Sequence, residues 1–423
     1  MRMTNVKRIA GGFALAVAGV LMVAPSAWAD EADALNFIVG QTLTYDDNLF
    51  RLSDSVDETL AIGSSRRSDF ISTTYAGLTF DKLLSRQKLH ADVLWNFNRY
   101  SRFSALDYNG LRANAGWGWQ LGNHLKGTLS YERNRRLIDF GNLTPQDRGR
   151  VRDINTYDRL YGNADWWFHP SYSVGVGYAH VNNSYSSDFR RSSEFDSDAV
   201  ELNGKFQPKT GNLIGLTLRQ TQGKYPNREV AIDPETGAVL GRIDNSYDQT
   251  DTEVNGDWRL TGQSRVYGRL GYTSRKHDQL SERDFSGVTA RVNYNWAIDG
   301  KTEINLIFRR EIGAVDDIDA AYVLTNGITL NPVWYPTSKI SLSAKYDWAR
   351  RRYEGDPFGI LDSGATGLSV RKDTVNTASV TATYLPLRSL QLSLTLQRER
   401  RTSSREFVDY DDNLASFSAQ FTF

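Results

Sequence analysis

The chain has 423 residues with 50 Lys and Arg against 50 Asp and Glu, so its formal net charge is zero, which argues against a nucleic-acid partner that would call for a basic excess. Cysteine is absent, which excludes disulfides, thiolate metal sites, iron–sulfur clusters and Cys nucleophiles. Aromatic residues make up 12% of a sequence whose mean hydropathy is only −0.49, an unusual pairing of many rings with a hydrophilic average.

All three methionines, Met1, Met3 and Met22, lie in the first 29 residues. There Arg2, Lys7 and Arg8 form a basic start, Ile9 to Val23 an apolar run, and Ala27-Trp28-Ala29 a small-residue cleavage motif. The expectation is a signal peptide over 1–29, cut after Ala29, followed by one domain over 30–423. The run is too short for a membrane anchor and ends at Pro25-Ser26.

Beyond residue 30 no stretch approaches twenty consecutive apolar residues, which excludes spanning helices. Period-two alternation appears instead. Leu111, Ala113, Ala115, Trp117, Trp119 and Leu121 alternate with Arg112, Asn114, Gly116, Gly118 and Gln120. Leu390, Leu392, Leu394 and Leu396 interleave with Gln391, Ser393, Thr395 and Gln397.

Eighteen such segments are predicted, at 35–47, 68–80, 87–101, 108–121, 124–138, 155–168, 172–185, 196–208, 212–224, 249–261, 264–275, 284–298, 302–313, 320–336, 339–352, 373–386, 389–402 and 412–423. In the second of them Ile71, Thr73 and Tyr75 compete with Phe70, Ala76 and Leu78 for the apolar face. Connections after even segments are short, such as Gly122-Asn123 and Asp299-Gly300-Lys301, while those after odd segments run long, as at 139–154, 225–248 and 353–372. Short turns alternating with long loops are the pattern of an outer-membrane barrel. The predicted fold is all-β: a transmembrane, antiparallel, up-and-down barrel of about 18 strands in the outer membrane of a Gram-negative bacterium, with no plug domain and both termini periplasmic. Aromatic-x-Pro closes four even segments, at Phe168-His169-Pro170, Phe206-Gln207-Pro208, Trp334-Tyr335-Pro336 and Tyr384-Leu385-Pro386, which fits strand ends ringed by interfacial aromatics. The alternating end, Ala415 to Phe423, resembles the C-terminal signal read by the barrel assembly machinery, with Phe423 its last residue.

Catalytic patterns are thin. Five histidines sit on different segments, there is no H-E-x-x-H or G-x-S-x-G, and Gly300-Lys301-Thr302 lacks the first glycine of a phosphate loop because residue 295 is Asn. No enzyme activity, cofactor or structural metal is expected. The polar face is richer. Arg259, Arg265, Arg269, Arg275, Arg291 and Arg309 cluster on segments 10–13 against only Glu253, Asp257, Glu303 and Glu311. Guanidinium groups pair carboxylates bidentately and stack on rings. This wall, facing Tyr161, Trp167 and Tyr267, is the candidate contact surface for an acidic polymer. The loop 225–248, with Asp233-Pro234-Glu235-Thr236-Gly237, is a candidate constriction.

Tyr45-Asp46-Asp47-Asn48-Leu49 recurs as Tyr410-Asp411-Asp412-Asn413-Leu414, at strands that a closed barrel makes neighbours. Asp46, Asp47, Asp411 and Asp412 would then meet at one rim, either as ordinary turn formers or as oxygen ligands for Ca²⁺. Arginine-rich strand ends (Arg133, Arg135, Arg136; Arg350, Arg351, Arg352; Arg398, Arg400, Arg401) are placed to meet lipopolysaccharide phosphates or to stand as solvated charge.

Asp46 to Leu52 near the start, with Leu396-Gln397-Arg398-Glu399-Arg400 and Ser418-Ala419-Gln420-Phe421-x-Phe423 at the end, resembles the outer-membrane proteins of exopolysaccharide biosynthesis operons (the EpsL type), within a wider group of β-barrel porins. The resemblance implies export of a secreted polysaccharide, with outer-membrane lipids and periplasmic export components as partners, and brings no catalytic residues with it. The alternative is a general or solute-selective diffusion porin. An adhesin-like barrel or a hydrolase on the lipid face ranks lower.

Overall fold

A computed structural model describes residues 34–142, 152–208, 211–227, 229–232, 239–244, 246–278, 281–313, 322–354 and 371–423. The predicted signal peptide, with Ala27 and Ala29, lies outside the described residues, as does Asp233 to Gly237. The chain-order strands are β1 Leu35–Asp46, β2 Asp69–Leu84, β3 Gln87–Tyr100, β4 Tyr108–Leu121, β5 Leu125–Leu137, β6 Ile154–His169, β7 Tyr172–Tyr185, β8 Phe195–Phe206, β9 Leu213–Lys224 and β10 Glu229–Ile232. They continue as β11 Val239–Ile243, β12 Tyr247–Arg259, β13 Ser264–His277, β14 Phe285–Ala297, β15 Thr302–Gly313, β16 Tyr322–Thr337, β17 Ile340–Glu354, β18 Lys372–Leu387, β19 Leu390–Ser403 and β20 Tyr410–Thr422.

Eighteen of these form one antiparallel sheet in which sequence neighbours pair, and β1 also pairs β20, so the sheet closes on itself. β10 and β11 form a separate hairpin inside the loop where a constriction was expected, leaving β9 to pair β12 directly. Phe37 and Phe423 exchange two backbone hydrogen bonds of 2.9 Å at the seam.

Closure removes the edges of the eighteen-stranded sheet, which is what allows its strands to stand in a bilayer that offers no backbone hydrogen bonds. The alternation then sorts itself by face. Val200, Leu202 and Leu270 remain more than half exposed on the outside (57%, 56% and 57%), because lipid rather than protein is their partner. A charged side chain forced onto that face would cost about 2–4 kcal/mol at mid-depth, so each strand's register is firmly set. In β2 it is Phe70 that faces out, at 51% exposure, while Ile71 and Tyr75 turn inward. At the short-turn end Trp166, Phe168, Tyr172 and Phe206 form a run of ring contacts, with centroids 5.0–6.4 Å apart, along the outer surface. At the same end, further round the barrel, Trp334, Tyr335 and Tyr384 are also exposed, so the aromatic-x-Pro motifs fall at an aromatic rim.

Candidate functional site

The inward faces of β6 to β17 carry a belt of alternating charge. Lys205 on β8 lies 2.6 Å from Asp165 on β6. Arg219 on β9 lies 2.7 Å from Glu201 on β8 and 3.7 Å from Glu253 on β12. Arg269 on β13 joins Glu253 (3.3 Å) to Glu311 on β15 (3.0 Å), Arg291 on β14 shares Glu311 at 3.1 Å, and Arg309 on β15 grips Asp347 on β17 with two 2.8 Å bonds. Arg265 pairs with Asp257 in a bidentate contact and lies 5.2 Å over the Tyr267 ring.

The structure places Arg265, Arg269, Arg291 and Arg309 along one inward wall, where Asp347, reaching in from the flanking strand β17, adds a carboxylate for Arg309 that the local sequence count leaves out. The guanidiniums of Arg265, Arg269 and Arg291 still have side chains 40–46% exposed to the lumen. Arg275 is the exception: it lies 4.0 Å over the Tyr247 ring, donates to Gln249 and is buried. Arg259 and Arg265 border a polar recess of about 430 Å³ that Asn295, Glu303, Asn305 and Asn331 also line. The aromatic partners divide differently from expectation. Of the three predicted rings, Tyr267 alone meets a wall arginine, whereas Tyr161 lies under Arg159 and Trp167 under Lys126, both rings being on β6.

Three of these pairs span an intervening strand, and at two of them a glycine makes room. A Cβ on Gly327 of β16 would come within 2.8 Å of the Arg309 guanidinium carbon on its way to Asp347. One on Gly175 of β7 would meet the Asp165 carboxylate on its way to Lys205. Sequence alternation places charges on a face but does not say which will reach two strands away.

The mouth at the long-loop end is built otherwise. After β1 the chain folds inward, through a short helix α1 (Glu58–Ile62) capped by Asp57 and ended by Gly63 in the left-handed region. Leu49, Phe50 and Leu52 are buried together with Tyr100, Leu106, Ile138, Phe140 and Tyr185, while the inward-facing Ile71 and Tyr108 pack against them. The loop is held by its polar residues. Asn48 receives the Leu52 N–H (2.9 Å) and donates to the Leu52 and Asp411 carbonyls (2.8 and 2.9 Å). Arg51, at φ 57°, pairs with Asp46 (2.9 Å) and Asp412 (3.1 Å). Burial works against the charge of Arg51, but the two carboxylates outweigh it and hold its pKa above the usual arginine value. The start of the β5–β6 connection, Phe140–Asn142, also reaches into the mouth, where Arg401 on β19 donates to the Gly141 carbonyl. Arg401 and Arg371 both pair with Asp373 (3.4 and 2.7 Å), and all three are almost wholly buried.

Oxygens of Asp46, Asp47 and Asp412 lie within 4.8 Å of one another, so three of the four expected carboxylates do meet. Asp411 does not join them. It neighbours Asp412 in the strand, must face the other way, and sits outside near Arg398 (3.6 Å) and Arg400 (3.9 Å). The guanidinium of Arg51 bridges Asp46 and Asp412, so the cluster carries its own cation. Of the histidines, His180 faces outward, bonded to Asp198 at 2.9 Å, and His124 bonds the Trp167 carbonyl at 2.7 Å.

Residues 217–423 match the model of the family described as "Putative beta-barrel porin 2". No helix among the described residues is long and apolar enough to cross a membrane, whereas the closed sheet is apolar outside and charged within. The protein is a Gram-negative outer-membrane barrel. In architecture it is similar to the outer membrane protein OpdK from Pseudomonas aeruginosa (9% identity, 92% of this chain and 99% of that one, TM-score 0.47). It is similar to OccK2 (OpdF) from the same organism, solved in complex with glucuronate (10% identity, 92% and 98% covered, TM-score 0.47), and to a BenF-like porin from Pseudomonas fluorescens Pf-5 (10% identity, 93% and 99% covered, TM-score 0.48). Among curated proteins no sequence matches the chain.

Proposed function

We propose that this barrel is a solute-selective diffusion channel that admits small charged solutes, carboxylates in particular. The observation that carries the reading is the combination of a mouth entered by two folded-in segments with a wall of paired but half-exposed guanidiniums below it. A narrowed entrance favours small molecules. A guanidinium held by one or two carboxylates keeps N–H donors for another, so an anionic solute can be handed along the half-exposed Arg265, Arg269 and Arg291 without any site binding it tightly. The match of residues 217–423 to a porin family model supports a channel as well.

Export of a polysaccharide is the second reading, and it rests on the resemblance of the two chain ends. One of those ends, Asp46 to Leu52, is occupied in closing the mouth, and its residue types are accounted for by that task. The two readings separate in one pair of measurements. Purified barrel in planar bilayers should show anion preference at low ionic strength and should pass small carboxylates faster than neutral sugars of equal size in a liposome swelling assay. Loss of the gene should leave extracellular polysaccharide unchanged. A silent channel together with periplasmic accumulation of polymer in the deletion strain would overturn the diffusion reading in favour of export.

A further inference from the structure

The outward face of β16–β20 carries a feature the transport reading does not use. A groove of about 610 Å³ crosses it, lined by Leu330, Ala344, Ala378, Val380, Leu396 and Ala415 among others. Register explains its shape. Ala344, Val380, Leu396 and Ala415 are paired in one row, and Leu330, Tyr346, Ala378, Arg398 and Asn413 in the next, so three alanines make a furrow between bulkier neighbours. Its volume lies within the usual range of ligand sites, roughly 300–1,000 Å³.

Arg398 stands on the rim of this furrow, on the side toward the long loops. Arg400 lies one same-face step further along its strand and Arg350 and Arg352 lie higher on β17, each step being about 7 Å. Lys372, paired with Arg352, adds a fifth cation to the same outward patch. Among the described residues three outward carboxylates oppose these five: Asp411, 3.6 and 3.9 Å from Arg398 and Arg400, Glu354, 2.6 Å from Arg352, and Asp47, which accepts from the Asn413 N–H and side-chain amide at 2.7 Å beside Arg398. The arginine side chains at 398 and 400 are each 64% exposed. The opposite sector differs. Around β6–β8 the outward Asp158, Asp196 and Asp198 leave no basic excess, with Arg133 and His180 paired to them.

We propose that this face is a binding site for a phosphorylated lipid of the outer leaflet, with its phosphate held by Arg350, Arg398 and Arg400 and an acyl chain lying in the furrow below. Charge complementarity selects an anionic head, the apolar furrow directly beneath selects a chain attached to it, and both lie on a wall that faces the membrane. Guanidinium forks match phosphate oxygens bidentately, and among the described residues an excess of two positive charges remains over the three carboxylates.

The test uses the full barrel in detergent, with diphosphoryl lipid A, its dephosphorylated form and inorganic phosphate as probes, and native mass spectrometry as the readout. Wild type should retain one diphosphoryl lipid A after exchange into clean detergent and should retain the dephosphorylated form at least tenfold less. The triple variant R350Q/R398Q/R400Q should lose that retention at least tenfold, and A378L/A415L, which fills the furrow with every cation in place, should lose it as well. R133Q/R135Q, on the other side of the barrel, should behave as wild type. Heat-modifiable migration checks that each barrel is assembled, and R350K/R398K/R400K supplies a charge-conserving alternative if the glutamine variant does not assemble. Equal retention of both lipids, unchanged retention in the triple and furrow variants, or full displacement by inorganic phosphate would each overturn the proposal.

Discussion

The mouth and the β12–β17 wall use the same residues, arginine against aspartate and glutamate on inward strand positions, and make opposite things of them. At the mouth Arg371, Asp373 and Arg401 are at most 6% exposed and lie next to a packed apolar cluster. On the wall Arg265, Arg269 and Arg291 pair just as closely but remain 40–46% open to lumen water. Water decides what a pair is worth. Exposed pairs contribute about 0–1 kcal/mol, whereas removal of one partner from a buried set costs about 3–5 kcal/mol because the survivor's charge is stranded. The mouth is therefore a structural closure, while the wall's pairs stay open to the water that charged solutes would cross in the proposed function.

The sharpest way to break this contrast is at Asp373. Asp373→Ala strands two buried guanidiniums at once, and the mouth should lose about 3–5 kcal/mol of local stability. Hydrogen exchange at the backbone amides of β18 and β19 next to the mouth should accelerate by several hundred-fold, while the membrane-spanning remainder of the sheet keeps its protection. Unchanged exchange would mean that the network is solvated and that the mouth does not differ from the wall.

Next in size is the apolar cluster. Phe50→Ala removes a ring that is 1% exposed and meets Phe103 edge-on at 4.7 Å and Phe140 at 4.9 Å. A truncation of this kind costs about 3–5 kcal/mol where the site cannot collapse. Here the 47–62 segment should detach, so the expected readout is a larger and noisier single-channel conductance with the barrel still resistant to unfolding in detergent. Identical conductance would show that the segment does not restrict the path.

How much of this could be read from sequence differs between the regions for a physical reason. Strand positions and facing were legible nearly throughout, because lipid outside and water inside enforce period two. The exception, β2, is where that rule fails: the lumen at the mouth is apolar, so Ile71 and Tyr108 pack inward and alternation no longer separates the faces. The role of Asp46 to Leu52 was not legible either, since the same polar residues suit a turn, a cation site or a buried clamp, and only the positions of Asn48, Arg51 and Asp411 in space choose among them. The opposite facing of Asp411 and Asp412 could have been read from alternation alone.

On the wall the expected effects are functional. R265Q/R269Q/R291Q should abolish or reverse anion preference at low salt while changing stability by less than about 1 kcal/mol, since its pairs are half-solvated. The preference should also fade in wild type as salt shortens the screening length to about 10 Å and below. Selectivity that survives the triple substitution would leave these arginines as packing for Glu253 and Glu311 and would move the search for the selective element to the mouth.

The smallest effect is also the most specific. Gly327→Val leaves every charged residue in place but puts a side chain where the Arg309 guanidinium now passes over β16, with the first added atom only 2.8 Å from its central carbon. Arg309 must then swing away, and Asp347 keeps only its hydrogen bond from Thr329 and the influence of Lys345 nearby. An unpaired carboxylate is thereby exposed to the lumen. Anion preference should weaken modestly, by less than in the triple variant, and the double variant Gly327→Val with Asp347→Asn should recover it. If Gly327→Val alone leaves reversal potentials unchanged, the guanidinium of Arg309 reaches Asp347 by another route and the glycine is not what positions it.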